Sequence, residues 1–476
     1  MDSQSAAPYF DSLADYVRAQ VHSFHMPGHQ QGTGAPAEFV SLVGSAALAA
    51  DITQVQGMDD IHRPFDGCLR AQHLAAQAYE SERCYFLVNG STCGNQAMLM
   101  TALNPGEAVL VPRNAHSSTM SGLLLSEARP VYYQPPFDPE MGVFHVATPD
   151  SVLPVLERHP EARALYLTSP SYYGAAADVD ALVALARQRG MLVLVDEAWG
   201  AHLVFHERLP RSAVQAGADL VVQSSHKLVS GMSQAAMLHA NGERVDRARL
   251  EAVLRLLQTT SPNTLLVASL DTARRQLALQ GRQLLDLVLD LADRARTGLR
   301  AAGVRVWERR PGVYDWDDSR LVFQVPGFRG YEVDRRLRQQ HNIQLEMSDS
   351  QNLVALVTPG HRADQVDRLV RAVSEIARQK PESSPKRLPH LPCLPEARLS
   401  LKQAFLAPWE SVPLSKAAGR ICVDTVCPYP PGIPWLVPGE VPSPALIEEL
   451  QTELAAGVTI QGAYDPQLKT VRVVKE

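Results

Sequence analysis

Between about residue 70 and residue 270, short β-branched runs alternate with stretches whose apolar residues recur every three or four positions. The strand candidates Ala164–Thr168 and Met191–Val195, with the helical stretch Val179–Arg189 between them, form one repeat of this pattern. Strands alternating with helices imply parallel crossovers, so the region predicts an α/β fold with a mostly parallel, doubly wound sheet. Upstream, the spacing over Tyr9–His22 predicts an amphipathic helix within an N-terminal arm that suits packing across a partner. Downstream, Leu, Ala and Arg at three- and four-residue spacing from Ser269 to Ala302 predict one long helix. It leads to a smaller α/β domain with strand candidates at Arg320–Val325 and Leu353–Val357. Prolines 381, 385, 389, 392 and 395 then punctuate a linker before a C-terminal unit. The expected boundaries are 1–50 for the arm, 51–275 for the large domain, 276–380 for the small domain, 381–395 for the linker and 396–476 for the C-terminal domain.

Two residues at strand ends give this frame its chemistry. Asp196 directly follows Leu-Val-Leu-Val195, and Lys227 follows Leu220-Val-Val-Gln223 by four positions. Consecutive parallel strands would place both at the carboxyl edge of the sheet, where open α/β folds bind ligands. A lysine amine that can form a Schiff base and a carboxylate that can keep a pyridine nitrogen protonated are the two groups pyridoxal 5'-phosphate requires at opposite ends of its ring. A phosphate cradle is also present: strand candidate Cys84–Val88 runs into Asn89-Gly-Ser-Thr-Cys-Gly-Asn95, and a helical run follows from Gln96 to Leu103. A turn that opens a helix aims free N–H groups and the positive dipole end at an anion, and Ser91 and Thr92 add hydroxyl donors. Ser224 and His226, beside the lysine, are further phosphate-contact candidates.

The strings Ser224-Ser-His-Lys-Leu-Val-Ser-Gly-Met-Ser-Gln-Ala235 and Asp196-Glu-Ala-Trp-Gly-Ala-His202 resemble the bacterial Orn/Lys/Arg decarboxylase family, whose members are fold type I pyridoxal-phosphate enzymes. Phe24-His-Met-Pro-Gly-His29, Asn89-Gly-Ser-Thr92, Pro112-Arg-Asn-Ala-His116, Thr168-Ser-Pro-Ser-Tyr-Tyr-Gly174, Pro428-Tyr-Pro-Pro-Gly-Ile-Pro434 and Pro438-Gly-Glu440 extend the likeness over essentially the whole chain. The resemblance implies that Lys227 carries the cofactor and Asp196 pairs with its ring nitrogen. It further implies that Ser91, Thr92, Ser224 and His226 contact the phosphate, that His116 stacks on one ring face and that Ala198 packs on the other. Thr259, Thr260 and Ser261 resemble the segment that reaches a neighbouring subunit's phosphate. Gln30 and Ser117 stand where many members have lysine, and Trp199 stands where many have a second histidine. These departures touch substrate preference and leave the lysine and aspartate intact.

Which bond at Cα breaks depends on how the substrate is held, so an aminotransferase or another pyridoxal-phosphate lyase is the alternative reading of the same frame. The resemblance points to decarboxylation of arginine, lysine or ornithine. A basic substrate needs a distal anion, for which Glu440, Glu346 and Asp349 are the candidates. Lys227 or a histidine near the ring would return the proton to Cα. The chain as read begins almost at the arm, so the extra N-terminal wing of larger relatives is not expected, and a dimer is the expected minimum.

A net charge of −6 without a long basic run disfavours nucleic acid as a partner. No apolar stretch reaches the roughly 18 residues that span a bilayer, and the N-terminus has no signal-peptide pattern, so a cytoplasmic enzyme is expected. Six cysteines, at 68, 84, 93, 393, 422 and 427, show no Cys-x-x-Cys spacing, which argues against a zinc site. Cys93 would lie at a helix N-terminus, where thiolate is favoured, and is read as a small filler.

Overall fold

The computed structural model describes residues 3–382, 394–429, 432–455 and 457–475. Most of the expected linker, including Pro385, Pro389 and Pro392, lies outside them, as do Cys393, Pro430 and Pro431. The chain divides into two compact units, one formed by residues 1–102, 164–169 and 179–286, the other by 103–163, 170–178 and 287–476.

The first unit holds five strands in the order Arg83–Leu87, Ala236–Ala240, Leu220–Gln223, Leu192–Asp196, Ala164–Thr168. The last three pair in parallel, and Ala236–Ala240 runs antiparallel to both its neighbours, so four of the five strands point the same way. Val193, Leu194 and Val195 are all 0 % exposed, as a strand covered on both faces requires, and this is why the sequence there is a continuous apolar run with no alternation. Helix Val179–Gln188 carries the chain back between the strands 164–168 and 192–196, close to the expected span.

Helix Pro8–Arg18 is shorter at its C-terminus than the sequence pattern suggested, and it packs within its own unit. Tyr9 and Leu13 join the core beside Tyr79, Phe86 and Met237. Its first turn is held by Asp271, which accepts from the N–H groups of Tyr9 (3.0 Å) and Phe10 (3.3 Å), an anion at the positive end of a helix. Arg274 pairs with Asp271 and donates to the carbonyls of Gln4 (2.9 Å) and Ala6 (2.7 Å). Beyond this helix the arm exposes Phe24, Met26, Phe39 and Leu42.

The long helix spans Thr264–Ala301 and starts five residues before the predicted Ser269. Asn263, just before it, accepts from the N–H groups of Leu265 and Leu266, so a side-chain cap sets the start where apolar spacing gave no signal.

In the second unit, Ala108–Pro112 and Arg129–Tyr133 form a parallel pair. An antiparallel sheet in the order Arg305–Trp307, Arg320–Gln324, Leu353–Leu356, Met347–Ser348 packs its buried faces with residues of helices Gly330–His341 and Ala363–Ala377. The C-terminal region adds the pairs Trp409–Pro413 with Thr470–Val474 and Cys427–Tyr429 with Thr459–Gln461, around a core of Leu436, Leu446, Leu450 and Val473.

Candidate active site

Asp196 and Lys227 end up at the same edge of the first unit. Asp196 closes strand Leu192–Asp196 and pairs with Val222 of the next strand, while Lys227 lies in the four-residue helix Ser225–Leu228 that follows that strand. Short contacts join the two. Asp196 Oδ1 accepts from the Ala198 N–H at 3.0 Å, the Ala198 carbonyl accepts from the Ser224 N–H at 3.3 Å, and the Trp199 ring lies under the lysine with Nζ 4.0 Å from its centroid. A cation over an indole face is held electrostatically, and the ring shields it from water on that side. Trp199, noted in the sequence only as a departure, is thus a wall of the lysine's site.

The second oxygen of Asp196 accepts from Asn95 Nδ2 at 2.9 Å, and Asn95 Oδ1 in turn accepts from the Tyr166 hydroxyl at 2.7 Å. Neither Asn95 nor Tyr166 was singled out from the sequence, because a mid-helix asparagine and a mid-strand tyrosine carry no local signature. Composition also marks the lysine: Lys227 is the only lysine among the first 379 residues.

Helix Gly90–Ala102 begins earlier than the sequence reading placed it, so the whole Gly-Ser-Thr segment is its first turn rather than a loop before it. Gly90 has a φ of +73°, a left-handed entry that favours glycine. Ser91 accepts from the buried Ser224 hydroxyl at 2.8 Å, which ties the helix start to the lysine segment, and Thr92 is exposed. His226 is held through Nδ1, 3.0 Å from the Ala235 carbonyl. Thr259, Thr260 and Ser261 form an exposed loop that touches this helix entry, with the Thr259 N–H 3.4 Å from Asn89 Oδ1. Cys93 is buried, and desolvation pushes its thiol up to about 12, so it stays a neutral filler despite the helix terminus.

Glu197, next to Asp196, was not considered from the sequence. Its carboxylate is fully buried and accepts from the Ser212 hydroxyl (2.7 Å), the Ala213 N–H (2.7 Å) and Gln223 (2.6 Å). Burial raises its pKa to about 7 against the pull of those three donors.

Within the second unit, His116 caps helix Ser117–Ser126, with Nδ1 accepting from the Ser118 N–H at 3.2 Å. The C-terminal motif reaches this histidine. The Gly432 carbonyl accepts from the Ser117 N–H at 3.1 Å, and a Cβ on Gly432 would stand 3.3 Å from the imidazole edge. Glu440 is 2 % exposed and pairs with Arg113 at 3.0 Å, while its Oε2 also accepts from the Val437 N–H at 2.9 Å. Burial raises its pKa, opposed by the Arg113 charge. Arg113 donates as well to the carbonyls of Pro434 (2.5 Å) and Trp435 (3.2 Å), so it staples the Pro-rich motif to the glutamate. Asp349 accepts from Tyr173, from the N–H groups of Gln351 and Asn352, and from the Asn352 side chain. Glu346 is exposed. Of the three acids expected to meet a substrate cation, Glu440 and Asp349 are therefore already engaged by partners of the same unit.

Residues 7–325 match the Orn/Lys/Arg decarboxylase major domain, and residues 394–452 match the C-terminal domain of the same family. The chain belongs to the Orn/Lys/Arg decarboxylase family. It is an enzyme, a decarboxylase of a basic amino acid, and the aminotransferase alternative is set aside. An arginine decarboxylase of Bacillus subtilis (strain 168) is 37 % identical over 488 residues, which cover 100 % of this chain and 99 % of the relative. An arginine decarboxylase of Halalkalibacterium halodurans is 36 % identical over 487 residues, with 100 % and 99 % covered. Among solved structures, the constitutive lysine decarboxylase of E. coli superposes with a TM-score of 0.85 at 21 % identity, over 99 % of this chain and 82 % of that one, which shows the shared fold. Among the described residues, no helix is long and apolar enough to cross a membrane.

Proposed function

We propose that the donor set around Lys227 and Asp196 holds pyridoxal 5'-phosphate, that arginine is the preferred substrate, and that a homodimer is the minimum active unit. The chemistry of the donors fits the cofactor group by group: an amine for the aldehyde, a carboxylate for the pyridine nitrogen, and hydroxyls at a helix N-terminus for the phosphate. The observation that carries this reading is the chain of short contacts from Asp196 through Ala198 and Trp199 to Ser224 and Lys227.

When bound, pyridoxal phosphate supplies an electron sink for the pair left at Cα as carbon dioxide departs. Asp196 keeps a proton at the ring nitrogen by presenting a fixed carboxylate oxygen to it. Lys227 binds the aldehyde end through Nζ, and Trp199 keeps water from one side of that amine. Ser91, Thr92, Ser224 and His226 would hold the phosphate, and the family resemblance assigns Ala198 and His116 to the ring itself. Lys227 Nζ is one candidate to hold the proton that replaces the carboxylate, and a histidine near the ring, His116 by the family resemblance, is another.

The substrate's distal cation is assigned to Glu440. Both of its hydrogen bonds fall on Oε2, and a guanidinium reaching Oε1 would make a charge-assisted contact in a desolvated setting. Arginine is preferred over lysine and ornithine on the strength of the full-length relatives named arginine decarboxylase. The homodimer is supported by the apolar arm, where Phe24 is 100 % and Leu42 83 % exposed, and by the exposed Thr259–Ser261 loop, in which Thr260 would meet the neighbouring subunit's phosphate. A cytoplasmic location fits the buried free thiols Cys68, Cys84, Cys93, Cys422 and Cys427.

The test is incubation of cofactor-loaded protein with L-arginine, L-lysine and L-ornithine, with products identified by mass spectrometry. Carbon dioxide and the corresponding amine should form, with the highest kcat/KM for arginine. A keto acid product, or lysine turned over better than arginine, would overturn the corresponding part of the proposal. Sedimentation that finds an active monomer would overturn the dimer.

A further inference from the structure

Asp196 is 4 % exposed, and behind it stands a chain of two neutral polar side chains, each almost fully buried: Asn95 at 1 % and Tyr166 at 0 %. Such groups are costly to bury unless they are hydrogen-bonded, and here two bonds line up towards Asp196. The Tyr166 hydroxyl donates to Asn95 Oδ1 at 2.7 Å, and Asn95 Nδ2 donates to Asp196 Oδ2 at 2.9 Å. An ionised carboxylate can only accept, so the amide has to turn its NH2 towards Asp196 and its oxygen towards the tyrosine. The tyrosine fixes the amide from behind, and the amide fixes the carboxylate.

Three elements of the fold make this line-up. Tyr166 pairs with Leu194, and Thr168 pairs with Asp196, so Tyr166 and Asp196 project from the same face of the sheet two residues apart in register. Asn95 descends on that face from helix Gly90–Ala102. The helix can approach closely because its neighbouring residue is Gly94, where a Cβ would lie 2.3 Å from Val222 Cγ2 and 3.0 Å from Leu87 Cδ1.

We infer that Tyr166 and Asn95 are positioning residues for the reaction, a relay that holds Asp196 in the orientation and the ionised state needed at the cofactor's ring nitrogen. The inference rests on the reading that Asp196 is the partner of that nitrogen. With the cofactor bound, one proton would be shared between the nitrogen and the carboxylate. A donor on the carboxylate stabilises the form with the charge on Asp196 and the proton on the ring, the form that draws electrons from Cα. Neither Asn95 nor Tyr166 needs to gain or lose a proton, so the relay acts by hydrogen bonding alone. Loss of one hydrogen bond to a charged group shifts such a balance by roughly 10- to 100-fold.

The experiment uses the full-length protein loaded with pyridoxal phosphate whose ring nitrogen is isotopically labelled. It reads the nitrogen NMR shift together with kcat, KM and the pH profile of kcat. Tyr166→Phe removes a single oxygen and should lower kcat by roughly 10-fold, leave KM for arginine within about twofold, and move the nitrogen resonance towards its unprotonated position. Asn95→Ala should do the same more strongly, and if it does not fold, Tyr166→Phe decides alone. Asp196→Asn is the reference and should show the largest shift. If Asp196→Asn loses the protonated signal while Tyr166→Phe keeps the wild-type shift, kcat and pH profile, the relay is refuted and the Asp196 assignment stands. If Asp196→Asn itself keeps the wild-type shift and kcat, the assignment fails and the relay fails with it.

Discussion

Gly94→Ala separates two effects that a helix-propensity argument alone would confuse. Alanine in place of glycine inside helix Gly90–Ala102 favours the helix by about 1 kcal/mol. Against this, the new Cβ would stand 2.3 Å from Val222 Cγ2, 3.0 Å from Leu87 Cδ1 and 3.1 Å from Val222 Cβ. Val222 cannot turn away freely. It is β-branched, it is 0 % exposed, and its strand is paired on both sides, with Asp196 and with Leu238. Inserting a methyl into such a core costs about 1–3 kcal/mol, and a 2.3 Å approach to a fixed side chain belongs to the upper part of that range, about 2–3 kcal/mol, so the net expectation after the helix gain is a loss of about 1–2 kcal/mol and a fall in Tm of roughly 2–8 °C. Lifting the helix also lengthens the bond from Asn95 to Asp196, so kcat should fall while KM for arginine changes little. Thermal unfolding of the cofactor-loaded protein measures the first effect. The double variant Gly94→Ala/Val222→Ala tests its cause, because removing the clashing methyls should make the two changes couple favourably by about 1 kcal/mol. A variant as stable as the parent, or strictly additive effects in the double variant, would refute the reasoning.

Three further outcomes follow from buried charges. Glu440→Gln should raise KM for arginine with a smaller change in kcat, and an unchanged KM for arginine, lysine and ornithine would remove Glu440 from the substrate site. Arg274→Ala strands Asp271, 0 % exposed, without its cation and frees the backbone of Gln4 and Ala6. It should cost about 3–5 kcal/mol, and an unchanged Tm would contradict this. Glu197 has its pKa raised from 4.5 to about 7, so its protonated form favours the folded state. The contribution is complete below pH 4.5 and is lost as the pH rises through about 7, a change of about 3 kcal/mol between those limits. Tm measured from pH 5 to pH 8 should therefore fall more steeply for the parent than for Glu197→Gln, and parallel curves would refute it.

The sequence shows the alternation of strands and helices because apolar runs buried on both faces, such as Leu-Val-Leu-Val195, leave a pattern that does not depend on distant contacts. It shows Asp196 and Lys227 for a similar reason, since the first directly follows such a run and the second lies four positions beyond one. The relay behind Asp196 left no such trace. Asn95 and Tyr166 are 71 residues apart in the chain and meet only because Gly94 lets a helix close on the sheet. The burial of Glu440 was equally hidden, since its partner Arg113 lies 327 residues away and the acid itself sits in a proline-rich stretch that reads as loop. Element ends shifted where side-chain caps outweighed apolar spacing, as at Asn263.

The central claim is that Lys227 carries the cofactor. Borohydride reduction of the pyridoxal-phosphate-loaded enzyme, followed by proteolysis and peptide mass spectrometry, tests it most directly, because the other six lysines all lie at or beyond Lys380 and are readily separated from it. The pyridoxyl mass should appear on the peptide containing Lys227 and vanish in Lys227→Ala. A label on any other lysine of an active enzyme, or full turnover by Lys227→Ala, would contradict the account.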